Sequence, residues 1–437
     1  MKGPLEFLTT RKEVPPLVVI TAFFFLAFFY ATSIRDSGTL LASVVNWLVA
    51  TSPIWLPITL LVAAHKVWMK YVRTKRFLEI DNVVLEVRLP EEITQRPSSM
   101  ESVLNAFFQT GEPQSFWEGF GQGRTRPESS LEIVSLEGQV HFFVRCRRKL
   151  KDIVEAHFYA HYPTVEIAEV PDYMDRFSFD LDRYDYFAIE EEKAQPHPFP
   201  IKTYVQFGLD KEEKDEFKHD PLTTFLETLA SYGKGENGMI QIMIRAHEKD
   251  FREPGTFFAK EDWKGIAKRE RQKIVDSLKV TSDESGFIQF QPPSDDQKER
   301  LEALGRNITK KPFQTGIRFL YIAEKDVFRS DIVASGATMF RSFESHNLNG
   351  LKPVFVTNFL YKWHTFFGTR LKAAKKHAFD EYRLRAYLSP IAHKGHWFVM
   401  SVEEIATLWH LPGRVAQTPT LPRIPSRRAE APSNLPV

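Results

Sequence analysis

Two uncharged apolar runs, Val14–Ile34 and Thr39–Ala64, constrain this chain more than any other feature. A helix of roughly 20 apolar residues crosses a bilayer core, and each run meets that length. Only Arg35, Asp36, Ser37 and Gly38 separate them. Backbone groups inside lipid must bond within their own segment, so the expected arrangement is two helices joined by a tight turn. Lys2, Arg11 and Lys12 precede the pair, Arg35 stands alone in the turn, and Lys66, Lys70, Arg73, Lys75 and Arg76 follow. That asymmetry predicts a multi-pass anchor in the inner (cytoplasmic) membrane with both termini cytoplasmic. Trp47, Trp55, Trp68, Tyr30 and Tyr71 are candidate interfacial residues, and Pro53 and Pro57 predict a kink or re-entrant bend in the second helix. Read as a cleaved signal peptide, the first run would still leave the second as an anchor. A buried soluble hairpin fits poorly, because Phe23, Phe24, Phe25, Phe28 and Phe29 leave no polar face.

Composition narrows the rest. About 360 residues follow the hairpin, room for two or three domains. Lys and Arg number 58 against 56 Asp and Glu, so a whole-chain polyanion binder is not indicated and any nucleic-acid contact is local. The single cysteine, Cys146, has no internal partner, which agrees with a reducing cytosolic face. It sits in the apolar run Val140–Cys146 and reads as a small buried hydrophobe.

The hydrophobic pattern predicts an α+β chain in four parts. Residues 1–78 form the membrane anchor, with helices at about 14–34 and 39–64, and Lys66–Arg76 continues as a basic helix. Residues 79–175 read as strand Asn82–Leu89, helix Met100–Gln109, strands Leu131–Leu136 and Val140–Cys146 joined at Glu137-Gly138-Gln139, helix Leu150–Tyr162 and strand Thr164–Val170. This is the β-α-β-β-α-β order of a ferredoxin-like unit. Residues 176–413 read as a second such unit: strands Arg176–Glu190 and Lys202–Phe207, helix Pro221–Tyr232 capped by Asp220, strands Gly238–Ala246 and Thr315–Ala323, and helix Asp326–Arg341. A charged helical insertion at about 247–311 interrupts it, with helices Glu261–Leu278 and Asp295–Leu304 around a Ser282–Pro293 loop. Strand His396–Val402 and helix Val402–Trp409 follow, and residues 414–437 form a proline-rich tail.

The chain carries little that reads as chemistry. The sequences at Gly121–Glu128 and Gly233–Asn237 lack the Walker A pattern, so ATP hydrolysis by this chain is not expected. His157 and His161 have the helical spacing of a metal pair, but no third ligand is near and a packing role is favoured about nine to one. His393 and His396 are weaker still. No nucleophile–base set stands out, so no catalytic residue, cofactor or metal is expected and the chain is read as non-enzymatic. The stretch Tyr361–Tyr387 differs. There Lys362, Arg370, Lys372, Lys375 and Lys376, with Arg383 and Arg385, interleave with Trp363, Phe366, Phe367, Phe379 and Tyr382. Such a mixture neutralises phosphates and stacks bases, or snorkels into anionic lipid headgroups. An amphipathic helix with a solvated face accounts for it equally well. In the insertion, Lys264, Lys268, Arg269, Arg271 and Lys273 are balanced by Glu261, Asp262 and Glu270, and a solvated face is favoured.

Three stretches carry a resemblance: SLEGQVHFFV at 135–144, YAHYPTVEIAEVPDY at 159–173 and SVEEIATLWHLPG at 401–413. Together they resemble the membrane-anchored half that precedes the ATPase domain in type IV secretion and conjugation-type translocation motors of the HerA/FtsK-like group. That resemblance implies a membrane hairpin, α+β domains, a helix like Glu404–Gly413, a proline-rich connector and then a RecA-like ATPase. The chain ends at Val437, where such a domain would begin, so ATP binding is not carried over. The expectation is an accessory or adaptor subunit that docks a separate motor ATPase, as a homo-oligomer or in a ring with the motor. The alternative is a stand-alone membrane scaffold that binds protein or lipid on the cytoplasmic face. DNA contact through Tyr361–Tyr387 is a third, weaker reading.

Overall fold

The structure is a computed structural model and describes residues 40–90, 93, 95–111, 113, 115–211, 220–248, 251–252, 260–281, 288–357, 368–389, 392, 396–413 and 423–424. It divides into two compact units, Met1–Tyr71 and Val72–Val437.

In the first unit, helix α1 (Leu40–Glu79) begins, and it runs unbroken through Pro53 and Pro57. Neither proline ends the helix. Pro53 has no amide hydrogen for the Val49 carbonyl, and the Ser52 hydroxyl donates to that carbonyl at 2.7 Å instead. Along this helix Val49, Ile54, Leu60, Leu61 and Val67 are 59–72% exposed. Among the described residues no helix is long and apolar enough to cross a membrane. The first apolar run, 14–34, and the turn after it lie outside the described residues.

The second unit is α+β and rests on one mostly antiparallel sheet. Its first elements are β1 (Asn82–Pro90), α2 (Pro97–Leu104), α3 (Phe116–Phe120), β2 (Glu128–Leu136), β3 (Gln139–Arg147), α4 (Lys151–His161) and β4 (Glu166–Val170). These strands pair in the order β4-β1-β3-β2, every pair antiparallel. Glu137 and Gly138 join β2 to β3 with φ of 52° and 88°, the left-handed pair that a two-residue hairpin requires. A side chain at Gly138 would also strike the Tyr232 carbonyl, 2.5 Å from where its Cβ would sit.

The next elements are β5 (Tyr184–Lys193), α5 (Pro221–Ala230) and β6 (Glu236–Ala246). An insertion follows: β7 (Phe251–Arg252), β8 (Lys260–Glu261), α6 (Trp263–Ser277), β9 (Lys279–Thr281), β10 (Ile288–Phe290) and α7 (Asp295–Thr309). Then come β11 (Pro312–Glu324), α8 (Asp331–Thr338) and β12 (Leu351–Val356), and the pairing is β12-β5-β11-β6. β2 pairs with β6, so the two sets form one continuous sheet. Helix α9 (Thr369–Leu384), β13 (Phe398–Ser401), α10 (Val402–Leu408) and β14 (Arg423–Ile424) follow among the described residues. β13 extends along β11, and β14 adds in parallel beside β1.

Period-2 alternation gives the sheet two apolar faces. One carries Leu85, Ile133, Phe142, Ile189, Ile242 and Phe319 under the helices α2, α4, α5 and α10. The other carries Val84, Val134, Phe143, Tyr186 and Leu320 under α9 and the 173–181 segment.

Three expected elements differ. The strand expected from Arg176 begins only at Tyr184, because Tyr173–Arg176 forms a 3-10 turn capped by Asp172. The apolar residues that suggested strand, Phe177, Phe179 and Leu181, pack on the second face as irregular chain. Lys202–Phe207 is a turn, not a strand, since the Gln206 side-chain carbonyl accepts from both the Thr203 amide and its hydroxyl. Asp326–Arg341 shortens to α8 and then tightens into a 3-10 turn at Met339–Phe343.

Candidate functional site

The segment after β13 is deeply buried. All seven residues of α10 are buried, including two glutamates. Ser401 and Glu404 form a reciprocal capping box, in which the Ser401 hydroxyl accepts from the Glu404 amide and Glu404 Oε2 accepts from the Ser401 amide. Glu404 Oε1 meets Lys193 Nζ at 2.7 Å and accepts from the Ile201 amide at 3.0 Å. Lys193 also donates to the carbonyls of His197 and Phe199. Burial lowers the Lys193 pKa, and the Glu404 carboxylate opposes that fall. Glu403 accepts from the Thr203 hydroxyl at 2.7 Å and from Arg306 of α7 at 3.2 Å. The insertion is thereby tied to α10.

Trp409 and His410 extend the lock. The Trp409 indole donates to the Glu132 carbonyl on β2, and its ring packs against Phe142 and Phe158. His410 Nε2 lies 3.0 Å from Asp220 Oδ2, and Nδ1 lies 3.0 Å from the Ala406 carbonyl. Both ring nitrogens face acceptors, which fits the doubly protonated ring. Burial works against that charge, but Asp220 and the carbonyls of Ala406 and Thr407 outweigh it and raise the pKa. Asp220 also accepts from the Leu222 amide and so caps α5.

On the opposite face, Arg385 ends α9 in the left-handed conformation and is fully buried. Its Nε donates to Glu132 Oε1 at 3.0 Å, and its two terminal nitrogens reach Asp172. Ser130, Tyr173 and Gln241 also donate to the Glu132 carboxylate. Burial pushes that carboxyl up, yet the guanidinium and these donors hold it below its ordinary value. Glu132 therefore serves both faces, its side chain holding Arg385 and its carbonyl holding Trp409.

The residues expected to meet phosphate or lipid have different surroundings. Lys362 lies outside the described residues. Arg370, Lys372 and Lys376 are on the exposed side of α9, whereas Lys375 is buried and ion-paired with Asp185. Phe379 and Tyr382 point into the core, so this helix has no described aromatic platform for bases. His157 contacts the Ser102 carbonyl, and among the described residues no three His, Cys, Asp or Glu side chains gather as metal ligands. His393 is outside the described residues. Cys146 is buried, and burial pushes its thiol up to about 11. A groove of about 900 Å³ opens on the second face, lined by Glu86, Asp172, Asp175, Glu324, Arg176 and Arg183 among others. Glu86 and His141 meet there at 2.8 Å.

Sequence reasoning missed the buried charges. The S-x-x-E pattern at Ser401–Glu404 was a signal for the capping box, but nothing local linked Arg385 to Glu132, 253 residues away.

Fold and site define an α+β module whose most deeply buried ion pairs join distant parts of the chain. Residues 78–423 match the DUF8128 family model, a domain of unknown function, and the chain belongs to that family. No curated protein matches its sequence.

Proposed function

We propose that this chain is a membrane-anchored, non-catalytic accessory subunit of a type IV secretion or DNA-conjugation-like translocation system, built to dock a separate motor ATPase. In this reading the sheet is two ferredoxin-like units fused through β2 and β6, since each half pairs its strands in the ferredoxin-like order. The apolar N-terminal region ties the module to the membrane, and the exposed Val49, Ile54, Leu60 and Leu61 favour that environment over water.

One observation carries the reading. The three stretches that resemble the translocation motors converge in space. Trp409 of the third packs on Phe142 of the first at 5.8 Å, and Phe143 of the first stacks on Tyr173 of the second at 4.9 Å. The resemblance thus falls on one packed unit that bridges both faces of the sheet. Because α10 is immobilised, whatever is held near Gly413 has a fixed position on the module.

The test begins with the reading frames beside this one. A neighbouring frame with a Walker A motif is expected. Its product, co-expressed with the full chain and purified in detergent, should elute with it as one assembly by size exclusion with light scattering. Separate elution, or no such neighbour, removes the docking role and leaves the stand-alone scaffold.

A further inference from the structure

The short helix α3 is built unlike the rest of the unit. Its Ser115 cap accepts from the Glu118 amide, and Gly121 and Gln122 donate back to the Trp117 carbonyl, so five residues form a closed turn. Yet Phe116 is 78% exposed and Trp117 65% exposed, the largest exposures among the big apolar side chains of the unit's described residues. Phe116 stacks on Phe120 at 5.0 Å, which makes a flat aromatic surface. Structure has been spent on presenting these rings rather than burying them.

The position of this turn is fixed. Gly123 sits at φ +62°, and a Cβ there would come within 2.7 Å of the Val72 carbonyl. The loop that closes α3 is therefore laid directly on α1 at Val72 and Arg73, where α1 enters the α+β unit. Cations gather at the same place. Arg124 pairs with Glu118, and Arg147 donates to the carbonyls of Thr125 and Arg126. Burial lowers the Arg147 pKa, the Glu128 carboxylate opposes that fall, and Arg76 and Arg124 add to it by like-charge repulsion. An aromatic surface beside clustered arginines is the composition that settles at the headgroup level of an anionic bilayer.

We propose that the Phe116–Phe120 turn is a membrane-interface foot, which seats its aromatic rings among anionic lipid headgroups beside the entry of α1 into the unit. The inference rests on the reading of the N-terminal region as a membrane anchor and adds a second contact with the lipid surface.

The full chain in nanodiscs of phosphatidylglycerol and phosphatidylcholine tests this. Cys146 is buried, so a thiol-reactive fluorophore will label an introduced Trp117→Cys or, as a second site, Phe116→Cys. Lys268→Cys on the exposed side of α6 is the control. Spin-labelled lipid should quench the label at 116 or 117 at least about twofold more than at 268, and less strongly in discs of phosphatidylcholine alone. Equal quenching at all three positions in chains that remain in the discs overturns the foot and leaves the anchor intact. Failure of the wild-type chain to enter discs overturns the anchor and the foot with it.

Discussion

Lys193 Nζ lies 2.7 Å from Glu404 Oε1, and neither side chain is exposed to solvent. The two residues come from β5 and α10, at opposite ends of the second half of the sheet sequence, and their pairing locks the last helix onto the body. Removing one partner leaves a buried charge without compensation. Glu404→Ala should therefore cost about 3–5 kcal/mol in urea unfolding followed by circular dichroism. Lys193→Met with Glu404→Leu should recover most of that loss, with a remaining deficit of about 1 kcal/mol from the missing cap. Equal losses in the single and double variants would mean that capping, not charge, dominates.

Glu191 is the opposite case. It lies on β5 between Ile317 and Pro353, and neither carboxylate oxygen has a hydrogen-bond partner among the described residues. Burial pushes its pKa up to about 8. A carboxyl with a raised folded pKa contributes stability that is fully present below its unfolded pKa and is lost as pH rises towards 8. Glu191→Gln should thus be near neutral at pH ~4 and more stable than the parent at pH ~8.5, by about 2–4 kcal/mol. Thermal melts across that range give the answer.

His410 makes a separate pH dependence. Its folded pKa is raised by Asp220, so its contribution is present below the ordinary histidine value and disappears as pH rises through the raised one. Asp220→Asn should flatten this part of the profile and cost about 1–3 kcal/mol at pH ~6. Nuclear magnetic resonance of the His410 ring across the titration should show the raised pKa in the parent alone.

On α9 the three lysines separate by face. Lys375 is buried against Asp185, whereas Lys372 and Lys376 are exposed. Lys375→Ala should cost about 1–3 kcal/mol, and Lys372→Ala and Lys376→Ala should stay within about 0.5 kcal/mol. DNA affinity, measured by fluorescence anisotropy against salt, should respond to charge reversal at the exposed pair if this helix meets phosphates. A flat response excludes that role for α9.

Periodicity was enough to read most of the sheet. Leu131–Leu136 and Val140–Cys146 are apolar-rich runs of strand length on either side of the turn residues Glu137-Gly138, and this hairpin stands where those runs and the turn placed it. The insertion helices were equally legible, since Asp262 and Ser294 cap them from adjacent positions. Local pattern failed at 176–183 and 202–207. There, alternating apolar residues pack as turns held by side-chain hydrogen bonds, and alternation alone does not distinguish such chain from strand.

What the sequence determined by itself was whatever depends on near neighbours: the apolar N-terminal runs, the α+β alternation, the caps and the hairpin. Only the tertiary structure decided which charges are buried and with whom. Lys375 and Arg370 look alike in sequence, yet one is sealed against Asp185 and the other lies on the exposed side. Glu404 finds Lys193, and Arg385 finds Glu132, across hundreds of residues. A charge leaves water only when a partner is already held in place by the rest of the fold. That condition belongs to the folded chain as a whole and is not written in any short stretch of it.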